Sequence, residues 1–447
     1  MSRRLGFAIA VASLILPCSL GAQAMPSPIE LGRIWDAERL PLPPPPLIHH
    51  ADVIAALQKL QHDGPSLIRI ETLGSSVEGR SINHVWLGNG PFKVLLWSQM
   101  HGDEPTATVA LLDILDYIGR HRDQPFVARL LERLELHIVP MLNPDGAERF
   151  QRRNAQGIDI NRDALLLQSP EGLLLKRLRD RLDPPIGFNL HNQNWRTSVG
   201  KTGRPATVSL LAVAFDDARS ENPGRVRAKK VCAVLRDALE PFIAGGIGRY
   251  DDEFEVRAFG DNLTKWGTSV VLIETGAFPG ADPDRMLVRA NFVGLLTALD
   301  ALATGDVDRA DPARYESLPM NESLLLHTIV ANALISTGTG VPPFKGDIGI
   351  AASRAIRTDG NRRTLGFSAR IEDIGDLRVY GALERIDAEG LVAAPMPRNR
   401  LKIGDTIRLH DHKRKGPTLA VGQPAAIALL KRQSSGKYRV ERIVRVE

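Results

Sequence analysis

The run VLLWSQMHGDEP, residues 94 to 105, constrains this chain more than any other. Its uninterrupted apolar start reads as a buried strand and Pro105 as the first turn of a helix, with His101 and Glu104 three residues apart between them. Zinc accepts imidazole nitrogen and carboxylate oxygen, and a catalytic zinc keeps three protein ligands with a fourth position open to water. The H-x-x-E spacing is therefore half a site that needs one more ligand and a base. FNLHNQN places His191 just after a second apolar run, and SVVLIETG places Glu274 at the end of a third. Polar groups at successive strand ends are how an open α/β sheet presents chemistry at its carboxyl edge.

Between these pieces lies LNPDGAERFQRRNAQGIDINRD, residues 142 to 163, and before them LGSSVEGRSI, residues 73 to 82. N-P-D-G followed by R-x-N-A-x-G-I-D-I-N-R resembles the substrate loop of the carboxypeptidase A-like zinc metallocarboxypeptidases. The EGR segment resembles the piece that precedes their zinc strand. The resemblance spans about residues 45 to 303 and keeps the family's order of motifs. It implies one zinc ion on His101, Glu104 and His191, and Glu274 as general base and acid.

The same resemblance assigns Arg152 to the developing oxyanion, with Arg153 as the neighbouring competitor. It assigns Asn161 and Arg162 to the free terminal carboxylate of a peptide, a group that a planar guanidinium binds through two parallel hydrogen bonds. The expected substrate is thus a peptide with a free C-terminus. Tyr250 stands where a substrate-contacting Tyr is expected, although GRYDDEFEVRAFGDN departs from the family's pattern. Asp163 replaces the Asn that many relatives carry after the Asn-Arg pair. The acidic cluster Asp251, Asp252, Glu253 and Glu255 suggests a preference for basic C-terminal residues.

Apolar periodicity predicts helices near 51–60, 105–118, 172–182, 225–239 and 285–302, and strands near 94–98, 134–140, 186–190, 208–215 and 269–273. This alternation predicts an α/β fold, with a mixed, largely parallel sheet sandwiched between helices. Beyond residue 305, short alternating runs such as HTIVANAL and LRVYGALERI, separated by Gly, Asp-Gly and Pro, predict a small all-β domain, a sandwich or a barrel. The expected divisions are 1–24, 25–46, 47–304 and 305–447, with LPLPPPPL closing the second as a polyproline strap.

Arg3 and Arg4, the apolar stretch Leu5–Leu16 and Ala22-Gln-Ala24 form the pattern of a secretory signal, so the expected location is secreted or periplasmic. After its removal only Cys232 remains, in an apolar helical pattern that predicts a buried thiol and no intrachain disulfide. No internal apolar run reaches the roughly 18 residues of a membrane span. The net charge is +5, and residues 306–447 hold 23 Lys+Arg against 17 Asp+Glu. With no aromatic platform or basic stripe, this excess does not predict a nucleic-acid partner; HKRK at 412–415 reads as a solvated hairpin tip. The sequence does not reveal an oligomeric state. Two other readings compete: an N-acyl amino acid deacylase of the aspartoacylase or succinylglutamate desuccinylase type, and a non-catalytic protein whose β-rich tail binds cell wall.

Overall fold

The computed structural model describes residues 24–446 apart from 65, 339–340, 360–361, 397–400 and 410–417. The expected signal segment and the HKRK run fall outside the described residues, except for Ala24.

The first unit is built on an eight-stranded sheet. Its strands are β1 (Arg69–Ser75), β2 (Ser81–Gly88), β3 (Phe92–Ser98), β4 (Leu134–Val139), β5 (Ile186–Asn192), β7 (Val208–Ala212), β8 (Ile247–Arg249) and β9 (Ser269–Thr275); the two-residue β6 (Ser198–Val199) stands apart. The order is β1-β2-β4-β3-β5-β9-β7-β8. The centre β4-β3-β5-β9 is parallel, and β1, β2 and β7 join antiparallel. The sheet is therefore mixed, as expected. Parallel strands covered on both faces read as continuous apolar runs, which is why the central strands stood out in the sequence.

Helices cover both faces. Val94, Leu96, Phe188 and Ile273 point to a core shared with α1 (Pro28–Glu38), α2 (His50–Asp63), α3 (Thr106–Arg120), α4 (Pro125–Arg133), α7 (Pro223–Leu239) and α9 (Pro283–Thr304). Leu95, Trp97, Val270 and Leu272 point to the other face, against α6 (Pro170–Leu182) and α8 (Phe259–Lys265). The short α5 (Pro144–Arg149) carries the N-P-D-G motif. Helix α9 has the length and composition of a membrane span, but most of it is buried in this core. Cys232 is likewise a buried free thiol.

Two expected divisions shift. Residues 25–46 are more than a strap: Ser27 and Glu30 form a capping box for α1, Leu31 and Trp35 sit in the core, and the Trp35 indole donates to Asp113 at 2.7 Å. A few large apolar groups outweigh the proline-rich flank. At the other end, Val307, ahead of α10 (Ala313–Glu316), Tyr315 on it and Leu318 after it pack into the same core. The first unit thus extends past residue 305.

β10 (Asn321–Glu322) leads into the second unit, and pairs with β6 of the first. The second unit contains β11 (Leu325–Ile335), β12 (Phe344–Asp359), β13 (Arg362–Gly375), β14 (Gly381–Asp387), β15 (Val392–Pro395), β16 (Thr406–Ile407), β17 (Ile427–Arg432) and β18 (Tyr438–Val444) in one eight-stranded sheet. Ile371 N–H donates to the Gln423 carbonyl and Ala425 N–H to that of Ala369 (2.8 and 3.0 Å), so β13 returns to the segment entering β17 and the sheet curls towards a barrel. The units meet through the Arg354–Asp284 ion pair (2.6 Å), the Arg196–Glu372 pair and an aromatic cluster of Trp195, His327 and Phe367.

Candidate active site

The end of β3 is bent to aim its loop. Gln99 adopts φ 52°, a left-handed conformation unfavourable to a residue with a side chain. Three hydrogen bonds hold it: its amide to the Gly102 carbonyl, Thr108 Oγ1 to its Oε1, and Asn143 N–H to its backbone carbonyl. Gly102 lies against α5 so closely that a Cβ there would come within 2.0 Å of the Gly146 carbonyl carbon. N-P-D-G and H-x-x-E are thus two halves of one packed turn. Asp145, fully buried, ties in the EGR segment by accepting from Ser76 Oγ, Glu78 N–H and Arg80 Nη1.

This turn, with the ends of β5 and β9, brings His101, Glu104 and His191 together; one ligand atom from each lies within 4.8 Å of the others. His101 Nδ1 is 2.8 Å from Glu104 Oε1, His191 Nδ1 is 2.7 Å from Glu104 Oε2, and the two Nδ1 atoms are 3.1 Å apart. Ligands about 2.0–2.1 Å from a tetrahedral zinc are separated by ~3.3 Å, so the donors fit the ion in kind and nearly in spacing. His101 Nε2 faces Asp159 Oδ1 at 3.1 Å, which fixes the ring and leaves Nδ1 for the centre. Asn192 N–H donates to Glu104 Oε2.

The triad attracts positive charge. Burial opposes the charged form of His101, but the Glu104 carboxylate and the Asp159 hydrogen bond overcome it and push its pKa up to about 9. Burial likewise works against the Glu104 charge, yet the two imidazoles hold its pKa far below the usual carboxylate range. For His191 burial wins and the pKa falls.

Glu274 pairs across from His191 in β5–β9 and is 8% exposed, with Oε2 unpartnered among the described residues. Burial, then the nearby Glu104 charge, raise its pKa well above normal, against the pull of His101 and Arg152. That is the environment of a carboxylate able to take and return a proton.

A cleft of about 750 Å³ opens over these groups and contains every site residue expected from the sequence except His191, which lies buried beneath it. Arg152, half exposed, donates to Asp159 Oδ2 at 2.9 Å and brings Nη1 to 3.4 Å from Glu104 Oε1. Arg153 instead donates to the Gly157 carbonyl. Asn161 accepts from Phe259 N–H through Oδ1, leaving its amide nitrogen as the free end. Arg162 is held by Glu255 at 3.2 Å. Tyr250 lines the cleft with no side-chain hydrogen bond among the described residues; the Glu274 charge and burial raise its pKa to about 12.

Several side chains take other roles. Asp163 accepts from Ser169 N–H and Oγ and from Gln168 N–H, so it is engaged in the entry to α6. Asp252 pairs with Arg225 and Arg219, Glu255 with Arg257 and Arg162, and Asp251 more loosely with Arg219 at 4.0 Å, which leaves Glu253 of the acidic cluster without an ion pair among the described residues. Asp261, from α8, lines the cleft and is raised to about 6 by burial. Asp159 and Asn192, both beside residues singled out in the sequence, support the metal ligands; their adjacency to Asn161 and His191 was the available signal.

The sequence profile described as zinc carboxypeptidase matches residues 53–203. Mouse carboxypeptidase M is 30% identical over 135 residues, 26% of this chain and 30% of that protein. A probable carboxypeptidase 2 of Arthroderma benhamiae is 34% identical over 140 residues, 31% of this chain and 24% of its own length. The chain thus spans less than a third of either relative. Among solved structures, a metallo-carboxypeptidase from Burkholderia cenocepacia aligns at 18% identity and TM-score 0.45, over 56% of this chain and 68% of that one. The profile match covers the segment that carries His101, Glu104 and His191, and over that segment the chain is similar to zinc carboxypeptidases.

Proposed function

We propose that this protein is an exported, zinc-dependent carboxypeptidase that removes the C-terminal residue of peptides. The observation that carries this reading is the shared cleft: His101 and Glu104, with His191 buried just beneath, a buried carboxylate of raised pKa and two guanidinium groups gather at one space. Export is supported by the basic then apolar start of the chain.

A single zinc ion on His101, Glu104 and His191 would polarise the scissile carbonyl and make a water acidic enough to lose its proton near neutral pH. Glu274 receives that proton and delivers it to the leaving amine. Arg152 faces the oxygen on which charge develops, a contribution of about 10²–10³ in rate for a well-aimed donor. Arg162 and the free amide of Asn161 take the terminal carboxylate. Tyr250, which lines the cleft, contacts the bound residue.

Hydrolysis of matched peptides with free and amidated C-termini, with zinc and with chelator, tests the reading. Zinc-dependent release of single residues from free C-termini alone is expected. Cleavage of acylated amino acids with no release from peptides would replace it with the deacylase reading.

A further inference from the structure

Resting on the carboxypeptidase reading, we infer that the segment joining the two units supplies the wall of the cleft on the N-terminal side of the scissile bond, and that Glu322 there selects substrates with a cationic side chain one or two residues before that bond.

The cleft has two walls. One is made of 159–164 and 255–261, joined by the Asn161–Phe259, Arg162–Glu255 and Ala164–Arg257 contacts, and holds the carboxylate clamp. With the carboxylate there, the rest of the peptide must run past the triad towards the other wall. We place that wall at Asn194, Thr197 and the joining residues Asn321, Glu322 and Ser323, which line the same cleft.

The joining segment is fixed in place. Asn321 Nδ2 donates to Gln193 Oε1 at 3.1 Å and its Oδ1 accepts from Ser209 Oγ at 2.9 Å, two residues beyond His191 and on β7. β10 pairs with β6, Gly200 N–H donates to the Met320 carbonyl, and Arg249 N–H to that of Pro319. Glu322 is therefore held on a rigid ribbon and loses little backbone freedom on meeting a ligand. Its carboxylate lines the cleft, is exposed and has no cationic partner among the described residues. Asp252 and Glu255, by contrast, are already paired. A lysine or other amine-bearing side chain at the second or third position from the C-terminus is the complementary charge.

The test compares kcat/KM for peptides with Lys or norleucine at those two positions, each with the same neutral C-terminal residue. Lys is expected to be favoured about two- to fivefold at one of them, the range of an exposed ion pair. The preference should fade in 1 M salt, where the screening length is about 3 Å. It should vanish in Glu322→Gln and reverse in Glu322→Lys. Equal rates for Lys and norleucine at both positions, or a preference that survives Glu322→Gln and is lost instead in Glu253→Gln, overturn the inference while leaving the carboxypeptidase reading intact. Cleavage of neither peptide overturns both.

Discussion

In the first sheet, β9 is buried along its whole length and β5 over all but its last residue, whereas in the second the ends of β12 are exposed or half-buried and only its middle is core. The polar groups follow the same division. Among the described residues, the fully buried polar and charged side chains all belong to the first unit and its joining segment's neighbourhood except Thr328 and Ser336. Burying a charge without a partner is costly, so a cluster such as Glu104, His101, His191 and Glu274 persists only where a surrounding structure over-determines it. The difference teaches where function resides: the first sheet tolerates costly groups at its edge, and the second is built for packing and surface.

The largest expected effect tests the costly end of that contrast. Glu274→Gln should lower kcat by about 10³, ~4 kcal/mol in the barrier, while zinc content by metal analysis stays at the wild-type level. A loss below tenfold would mean that the strained carboxylate is not the proton carrier.

Next comes the second core. Ile350→Ala removes a fully buried side chain from β12 and should cost about 2–5 kcal/mol in unfolding of the second unit, with kcat retained. A proportional fall in kcat would show that the two sheets are energetically one body.

A smaller effect depends on pH. His137 of β4 is buried against His84 at 3.0 Å, and burial followed by neighbouring positive charges lowers its pKa to about 3. Because the folded pKa is depressed below the ordinary 6.5, its stabilising contribution is complete above pH 6.5 and is lost as pH falls towards 3. At pH 5 the loss is about 2 kcal/mol. Urea denaturation at pH 7 and pH 5, with chelator in both, should show it for the wild type and less of it for His137→Leu.

The smallest concerns the clasp between units. Arg363 of β13 reaches the Ile48 and Ala147 carbonyls at 3.4 and 3.3 Å. Arg363→Ala should cost about 1 kcal/mol and pull the two unfolding transitions apart in calorimetry. A single unchanged transition would assign the clasp no weight.

How much the sequence disclosed follows the same contrast. Central strands such as VLLWS and SVVLIET read directly, because burial on both faces leaves an unbroken apolar run. The edge strand β1 and its neighbour β2 show in the sequence only as the EGR motif, and β8, at the other edge, is too short to show any period. Helix α1 is not among the expected helices: its capping residues Ser27 and Glu30 stand beside a proline-rich run that reads as a strap. At the site, the candidate ligands His101 and His191 and the candidate base Glu274 stand at or just beyond recognisable strand ends. The Asn321–Gln193 contact joins residues 128 positions apart, and no local spacing encodes it.

That contact limits modularity. A chain cut after α9 would leave Gln193 and the Ser209 hydroxyl without their Asn321 partner and bare the edge of β6 beside the metal centre. Exchange of the β-rich unit for another, or its deletion, preserves the cleft only if the splice lies beyond Leu325, whose N–H still holds the Arg196 carbonyl.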